Sequence, residues 1–176
     1  MPQNHRSRAL DGPYFFTVQL QDLGSDVLTR EIGTLRSATR AMMRQFPTQL
    51  DAIVVLPSII HVIWTLPAGD ARHLQRWSSL QRLFVQGLSS KNTLNLSPLP
   101  DQKHRVWQTP IWMRRLRSRD DFHLHRTMMY HAPVKHGLVR SATAWQYSSI
   151  HRDQLLREPS PAARTASNDR KPVPVL

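Results

Sequence analysis

One apolar run, residues 52–66, constrains the fold of this chain more than any other segment. It reads Ala-Ile-Val-Val-Leu-Pro-Ser-Ile-Ile-His-Val-Ile-Trp-Thr-Leu, with Pro57 and Ser58 near its middle. Short runs rich in β-branched residues on both sides of a turn signal are typical of strands that are buried in a sheet. The run therefore predicts two strands, at 50–56 and 59–66, that are joined by a tight turn.

His61 is the only titratable side chain of that run. A lone histidine in an apolar strand is either a satisfied core residue or part of a metal site. Metal sites need several converging ligands, and the neighbouring position on the same strand face is Ile59. Spacing alone therefore favours a structural histidine and leaves the role of metal ligand open.

The remaining elements follow from periodicity. Alternating apolar residues predict a first strand at 13–20 and a last strand at 110–117, and helical spacing predicts helices at 29–46 and 71–88. Four apolar residues are expected on the inner stripe of the second helix: Leu74, Trp77, Leu80 and Phe84.

Two helices carry recognisable end signals. Asp70 is expected to cap the second helix, and Ser118 with Asp121 has the spacing of a capping box for a third helix. Pro133 disfavours helical geometry in the residue before it, so the third helix is expected to end near Ala132. The order β-α-β-β-α-β-α predicts an α+β fold of the ferredoxin-like split β-α-β-β-α-β type, an antiparallel sheet with helices on one face, plus a further helix.

The chain is expected to contain one folded domain at 13–152. Residues 1–12 are polar and are expected to form a flexible N-terminus, and residues 153–176 read as a disordered, basic and proline-rich tail. No signal peptide and no apolar run of about 18 residues is recognisable, which favours a cytoplasmic protein without a membrane partner. The oligomeric state stays open, with a monomer slightly favoured.

The charge of the chain indicates a polyanionic partner. Twenty-four Lys and Arg stand against 12 Asp and Glu, a formal net charge of +12, and there is no cysteine. This excess favours nucleic acid, although a merely solvated basic surface has the same composition. Arginines interleaved with tryptophans suit phosphate contact and base stacking on single-stranded or hairpin DNA, unless the tryptophans are core residues. The residues expected to contact DNA are Lys103, Arg105, Trp107, Trp112, Arg114, Arg115, Arg117, Arg119, Arg126, Lys135 and His136.

Five sequence blocks form an ordered set across most of the chain. They are Phe15-Phe16-Thr17-Val18; Val54-Val55-Leu56-Pro57 with His61 and Trp64-Thr65-Leu66-Pro67; Trp107-Gln108 with Trp112; Pro133-Val134-Lys135-His136-Gly137-Leu138-Val139; and Trp145 with Tyr147-Ser148-Ser149. Together they resemble the REP-associated tyrosine transposases, a group of HUH single-strand nucleases. The last two blocks in combination are the most specific part of the resemblance.

The resemblance implies the chemistry of a single-tyrosine transposase. In that family two histidines on a central strand and a polar residue on a helix hold Mg²⁺ or Mn²⁺, which polarises a phosphate of single-stranded DNA. A tyrosine on the same helix attacks this phosphate and forms a covalent phosphotyrosine. The DNA is typically a short hairpin with an adjacent recognition sequence.

The chain departs from the family pattern at the residues that carry this chemistry. The pattern Pro-Asp-His-x-His is Pro-Ser-Ile-Ile-His here, so Ile59 replaces the first histidine and His61 remains as a surviving metal-ligand position. The nucleophile position, five residues before Pro133, is Met128, and the polar residue one turn later is Ala132. No complete set of catalytic residues is therefore present, and no cofactor is firmly expected, with Mg²⁺ or Mn²⁺ implied if catalysis persists.

Tyr130 is a weak candidate for a substitute nucleophile. On a helix it lies about 200° from Met128, so we expect it to pack elsewhere. Leu124, Met128 and Ala132 form one apolar helical stripe, and we expect this stripe to close the former metal pocket as core. Decay of an unselected gene is an alternative explanation of the same replacements.

Three functions remain compatible with these residues. The first is a DNA-binding protein of the transposase family that binds single-stranded or hairpin DNA and has lost strand nicking. The second is an active single-strand transposase that uses His61 and an unexpected nucleophile such as Tyr130. The third is a non-catalytic, basic RNA- or protein-binding domain.

Overall fold

A computed structural model describes residues 12–91 and 106–157 of the chain. The elements of these residues are β1 (Pro13–Gln19), α1 (Val27–Arg30), α2 (Ile32–Gln45), β2 (Gln49–Val55), β3 (Ile59–Thr65), α3 (His73–Ser90), β4 (Trp112–Arg115), α4 (Arg119–Lys135), a 3₁₀ turn (Ala142–Ala144) and α5 (Ile150–Arg157). The helix predicted at 29–46 is divided into α1 and α2 at Glu31. The predicted order of strands and helices is confirmed.

The sheet has the strand order β2-β3-β1-β4, and all neighbouring strands are antiparallel. This arrangement confirms the ferredoxin-like α+β fold. The turn between β2 and β3 is closed by a hydrogen bond from Leu56 N to Ile59 O of 2.8 Å. Ser58 Oγ donates to Leu23 O at 2.9 Å, so the turn is also attached to the chain that precedes α1.

Helices cover both faces of the sheet. On one face, α2 and α3 enclose the main core, which includes the alternating residues Tyr14, Phe16, Val18 and Leu20. On the other face, Phe15, Ala52, Val54 and Ile63 pack against Met129, Tyr130 and Ala132 of α4. The further helix of the prediction is therefore the cover of the second face.

The start of α3 differs from its prediction. Leu74 is 67% exposed, whereas Trp77, Leu80 and Phe84 are buried as expected. His73 faces the core instead, because its Nδ1 accepts from Trp64 Nε1 at 3.3 Å and its ring lies 4.2 Å from that of Tyr14. Leu74, one residue later, is turned by about 100° toward solvent.

Asp70 does not cap α3 in the predicted way. The residue at the cap position is Arg72, which makes no side-chain capping bond, and Asp70 instead binds two arginines. Arg76 is fully buried, with Nη2 2.8 Å from Asp70 Oδ2 and Nε donating to Thr48 Oγ1 at 2.9 Å. The hydrogen bonds from Arg72 and Arg76 hold the pKa of Asp70 well below its usual range.

Both ends of α4 can be compared with the ends predicted from the sequence. Ser118 Oγ accepts from Asp121 N at 3.0 Å, which confirms the cap of α4. The predicted end near Ala132 is wrong, because α4 continues to Lys135 with Pro133 inside it. Less than one turn follows Pro133, and His136 N still donates to Ala132 O at 2.9 Å, so little helix is disturbed.

The tail boundary predicted at residue 153 is wrong as well. Helix α5 continues to Arg157. Asp153 accepts a 2.7 Å hydrogen bond from the Tyr130 hydroxyl, which attaches α5 to α4. The predictions for residues 1–11 and 158–176 lie outside the described residues. In the part of the chain that is described, no helix is long and apolar enough to cross a membrane.

Replacement of Arg76 tests the weight of its buried ion pair. We expect Arg76→Ala to lower the free energy of unfolding by about 3–5 kcal/mol, because it leaves the Asp70 carboxylate buried with fewer donors. Arg72→Ala removes an arginine whose side chain is 55% exposed. The free energy of unfolding should fall by less than about 1 kcal/mol in that control. Urea unfolding of both variants measures the difference, and equal losses would contradict the role of Arg76.

Candidate functional site

A cleft of about 540 Å³ lies between the second face of the sheet and α4. Strand β1 contributes Phe15, Thr17 and Gln19, which alternate with the residues that face the main core. His61 lies directly opposite Thr17 in the β1–β3 register. Residues of one strand face therefore converge on the cleft because the side chains of a strand alternate.

His61 forms part of the cleft wall. Its Nδ1 is 3.0 Å from Thr17 Oγ1, and its ring stacks on Phe15 with centroids 5.8 Å apart and planes at 14°. Burial, with a smaller contribution from the charge of His136, lowers the pKa of His61 to about 4. The imidazole is therefore neutral at neutral pH, with Thr17 holding one of its nitrogens.

The residues of the cleft do not fit the metal site that the family pattern implies. Ile59 packs with the second core cluster and Ala132 is buried, and neither side chain has a donor atom. No group of three His, Cys, Asp or Glu side chains in residues 12–91 and 106–157 is close enough to share a metal ion. His61 alone is left from the expected set of ligands.

The predicted closure of the pocket by the apolar stripe of α4 is wrong. Met128 is 49% exposed and lines the open cleft, and Leu124 is also exposed. The helix is turned so that His125, Met129 and Ala132 face the sheet. Met128, where the resemblance implies the nucleophile, therefore stands on the rim, and its side chain does not fill the space between α4 and His61.

Tyr130 packs away from the cleft, as helical geometry predicted. It is 7% exposed, its hydroxyl donates to Asp153 at 2.7 Å, and the same oxygen lies 3.1 Å from Ser149 Oγ. Burial is the main cause that raises the pKa of Tyr130 to about 12. This phenol is neither positioned nor ionised for attack on a phosphate.

Several of the predicted DNA contacts surround the cleft. Trp112 of β4 is 52% exposed, meets the Phe15 ring edge-on at 5.6 Å and lines the cleft with Lys135 and His136. The arginines predicted beside Trp112 lie on β4 and at the start of α4, and three of them are exposed: Arg114, Arg117 and Arg119. Arg115 is half-buried, and Arg114 Nη2 lies 3.5 Å from Asp121 Oδ1.

Two predicted contacts have other roles. Trp107 is 1% exposed and packs edge-on against Phe84, so it is a core residue and not a surface for bases. Arg126 lies 3.3 Å from Asp153 and 5.4 Å from the centre of the Phe122 ring, so its guanidinium helps to hold α5 on α4. The predictions for Lys103 and Arg105 fall outside the described residues.

Gln19 and Gln108 are cleft residues that the sequence reasoning missed. Gln108 N donates to Gln19 O at 2.9 Å, which places both side chains beside the same wall of the cleft. The alternation of β1 would have placed Gln19 on the face of Phe15 and Thr17. The side-chain amides of Gln19 and Gln108 offer hydrogen-bond donors and acceptors in a cleft that is otherwise largely apolar.

The depressed pKa of His61 predicts a pH effect on stability. Above pH 6.5 the imidazole is neutral in both states, and as the pH falls from 6.5 to 4 the unfolded state binds a proton that the folded state does not. His61 therefore lowers the free energy of unfolding across that window, by about 3 kcal/mol at its acid end. His61→Gln should remove this part of the acid destabilisation, measured by urea unfolding at several pH values.

The exposed His123 supplies the control for that experiment. His123→Gln removes an exposed histidine outside the cleft and should leave the slope of stability against pH as in the native chain. Equal slopes for the native chain and His61→Gln would contradict the burial of a neutral imidazole at the cleft.

The chain is similar to known proteins in sequence and in structure. No protein-family model matches the chain. The REP-associated tyrosine transposase of Escherichia coli strain K12 is 34% identical over 153 residues, which cover 87% of this chain and 85% of the relative. A relative from Haemophilus influenzae, assigned to the same group, is 33% identical over 154 residues, which cover 87% of this chain and 88% of the relative.

A solved structure has the same fold. It shows a REP-associated tyrosine transposase bound to a REP hairpin, and it matches this structure with a TM-score of 0.73 and 33% identity over 90% of this chain and 89% of that chain. The similarity in sequence and in structure extends over nearly the whole length of both proteins. This chain therefore belongs to the family of REP-associated tyrosine transposases.

Proposed function

We propose that this chain is a pseudoenzyme of its family, a protein that binds single-stranded or hairpin (REP-like) DNA and has lost strand nicking and transposition. The proposal rests on Met128, which lines an open cleft and stands where the family pattern has its nucleophilic tyrosine. A thioether has no proton to lose and cannot form the phosphotyrosine link on which the family's reaction depends.

Loss of the metal ligands supports the same conclusion independently. Ile59 and Ala132 supply no donor atoms, and His61 alone cannot hold Mg²⁺ or Mn²⁺, which need several oxygen or nitrogen ligands. The chain therefore binds DNA without a cofactor in this proposal. Its lack of cysteine suits the reducing cytoplasm, where we place it.

Retention of DNA binding is supported by the surface around the cleft. Trp112 offers an exposed ring for stacking on the sheet side of the cleft, and Lys135 and His136, at the end of α4, add basic groups to the cleft lining. The exposed Arg117 and Arg119 add positive charge near the start of α4, where they line a separate pocket. A solved relative carries a REP hairpin, and single-strand binding characteristically combines cationic side chains with aromatic platforms.

The two other functions have less support. An active transposase would need Tyr130, whose hydroxyl is buried and bonded to Asp153. A domain that binds RNA or protein has no specific observation in its favour.

Binding of hairpin DNA in the absence of Mg²⁺ is the first expected outcome. Trp112→Ala should weaken the binding of a REP-like hairpin about 5- to 150-fold, because one stacked base contributes about 1–3 kcal/mol. Leu124→Ala, at another exposed apolar residue that lies outside the cleft, should leave the affinity unchanged. Gel shifts with and without EDTA measure both effects. Binding no tighter than to random single strands would contradict the proposal.

Restoration of the three replaced residues tests the loss of catalysis. We expect no covalent protein–DNA adduct from the native chain with Mn²⁺ and hairpin DNA, and an adduct from the Ile59→His, Met128→Tyr and Ala132→Asn triple variant. The double variant without Met128→Tyr has the metal ligands but no nucleophile, so it should give no adduct. An adduct of the native chain that Tyr130→Phe abolishes would establish the active transposase instead.

A further inference from the structure

A second groove, of about 340 Å³, lies at the β2 edge of the sheet between α2 and residues 146–149. Its floor is apolar and is formed by side chains such as Met43, Leu50 and Ile53, while Arg36 and Arg40 stand at its side. Helix α2 belongs to the layer opposite α4, so this groove is separate from the cleft that contains His61.

Three exposed arginines form a row along α2. Arg36, Arg40 and Arg44 are spaced four residues apart, which places them on one side of the helix at steps of about 6 Å. None of them forms an ion pair with a carboxylate in residues 12–91 and 106–157, and Arg40 makes only a 3.4 Å contact with Ser37 Oγ. A row of cations with no internal counter-charge is complementary to a chain of anions.

Backbone hydrogen bonds attach the opposite wall of the groove, residues 147–149, to β2. Val55 N donates to Tyr147 O at 2.9 Å and Ser149 N donates to Ile53 O at 2.9 Å, so residues 147–149 follow the edge of β2. The half-buried ring of Tyr147 packs against the main core and meets Trp145 edge-on at 5.4 Å. Gln146 is exposed at the rim and has an amide for hydrogen bonds.

We propose that this groove binds single-stranded DNA as a second site, in addition to the cleft. Phosphates would lie along the row of arginines, and unstacked bases would lie on the apolar floor beside Tyr147. Duplex DNA suits the groove less well, because its bases are stacked inside the helix and cannot reach the floor. The inference rests on the proposed function in that the chain is taken to bind DNA.

The test measures the second site while the first is filled. The full chain is first saturated with unlabelled hairpin, and fluorescence anisotropy then follows a labelled oligothymidine of about 16 nucleotides over a salt series. Arg36→Gln with Arg40→Gln should weaken oligothymidine binding at low salt. The slope of log K against log salt should fall in magnitude by about 1.4, because each phosphate contact in a single strand contributes about 0.7.

A matched double variant controls for the change in net charge. Arg30→Gln with Arg82→Gln also removes two exposed arginines, and neither of these residues lines the groove. This variant should keep the salt slope of the native chain, and both double variants should keep the native affinity for the hairpin.

The possible results separate the groove from the proposed function. A native salt slope in Arg36→Gln with Arg40→Gln, or an equal fall in the control, would mean that the row is only a solvated face. Displacement of oligothymidine by polyglutamate more readily than by unlabelled oligothymidine would indicate an acidic protein partner and would also overturn the proposal. If the native chain fails to bind the hairpin, the proposed function fails, while oligothymidine binding still tests the groove.

Discussion

The pairing of β1 with β3 at the centre of the sheet determines the position of every other functional part. Thr17 lies opposite His61 in this pairing. Along β1, successive residues point in turn to the main core and to the cleft. A slip of one residue would exchange the two faces and put the aromatic core residues into the cleft. One register therefore fixes the core under α2 and α3 and the wall that faces α4.

This dependence explains why the cleft keeps its shape without metal ligands or a nucleophile to support it. Its shape depends on backbone positions and on buried side chains such as Phe15 and Met129, and not on ligand atoms. In the proposed function, Ile59 and Ala132 stand where the family pattern has a histidine and a polar residue, and both pack between sheet and helix without supplying ligand atoms. A repurposed DNA-binding protein would keep such a cleft, whereas decay would also be expected to disturb the core.

The electrostatics of the chain separates charges that stabilise the fold from charges that face solvent. The one fully buried arginine of the described residues, Arg76, is matched by Asp70, while the exposed arginines of α2 have no carboxylate partner there. Charges that stabilise the fold are thus paired, and charges at the two proposed DNA sites are left for an external anion. Counter-ion release from DNA makes such unpaired surface charges effective in binding.

Much of this protein could be predicted from its sequence. The apolar run at 52–66 specified two strands and their turn, Ser118 specified the start of α4, and the sequence blocks identified the family. These features depend on neighbours in the chain, where spacing and residue type carry the information. The opposite facing of Tyr130 and Met128 followed for the same reason, since both lie on one helix.

Other features were decided only by the tertiary structure. The sequence placed Leu124 and Met128 on one stripe, yet the rotation of α4 against the sheet turned that stripe to the rim and left the cleft open. Leu74 was exposed because His73 already covers Trp64 and Tyr14, and Trp107 became core because it packs on Phe84. Periodicity states which residues share a face of an element. The direction in which that face points depends on the simultaneous packing of all the elements around it.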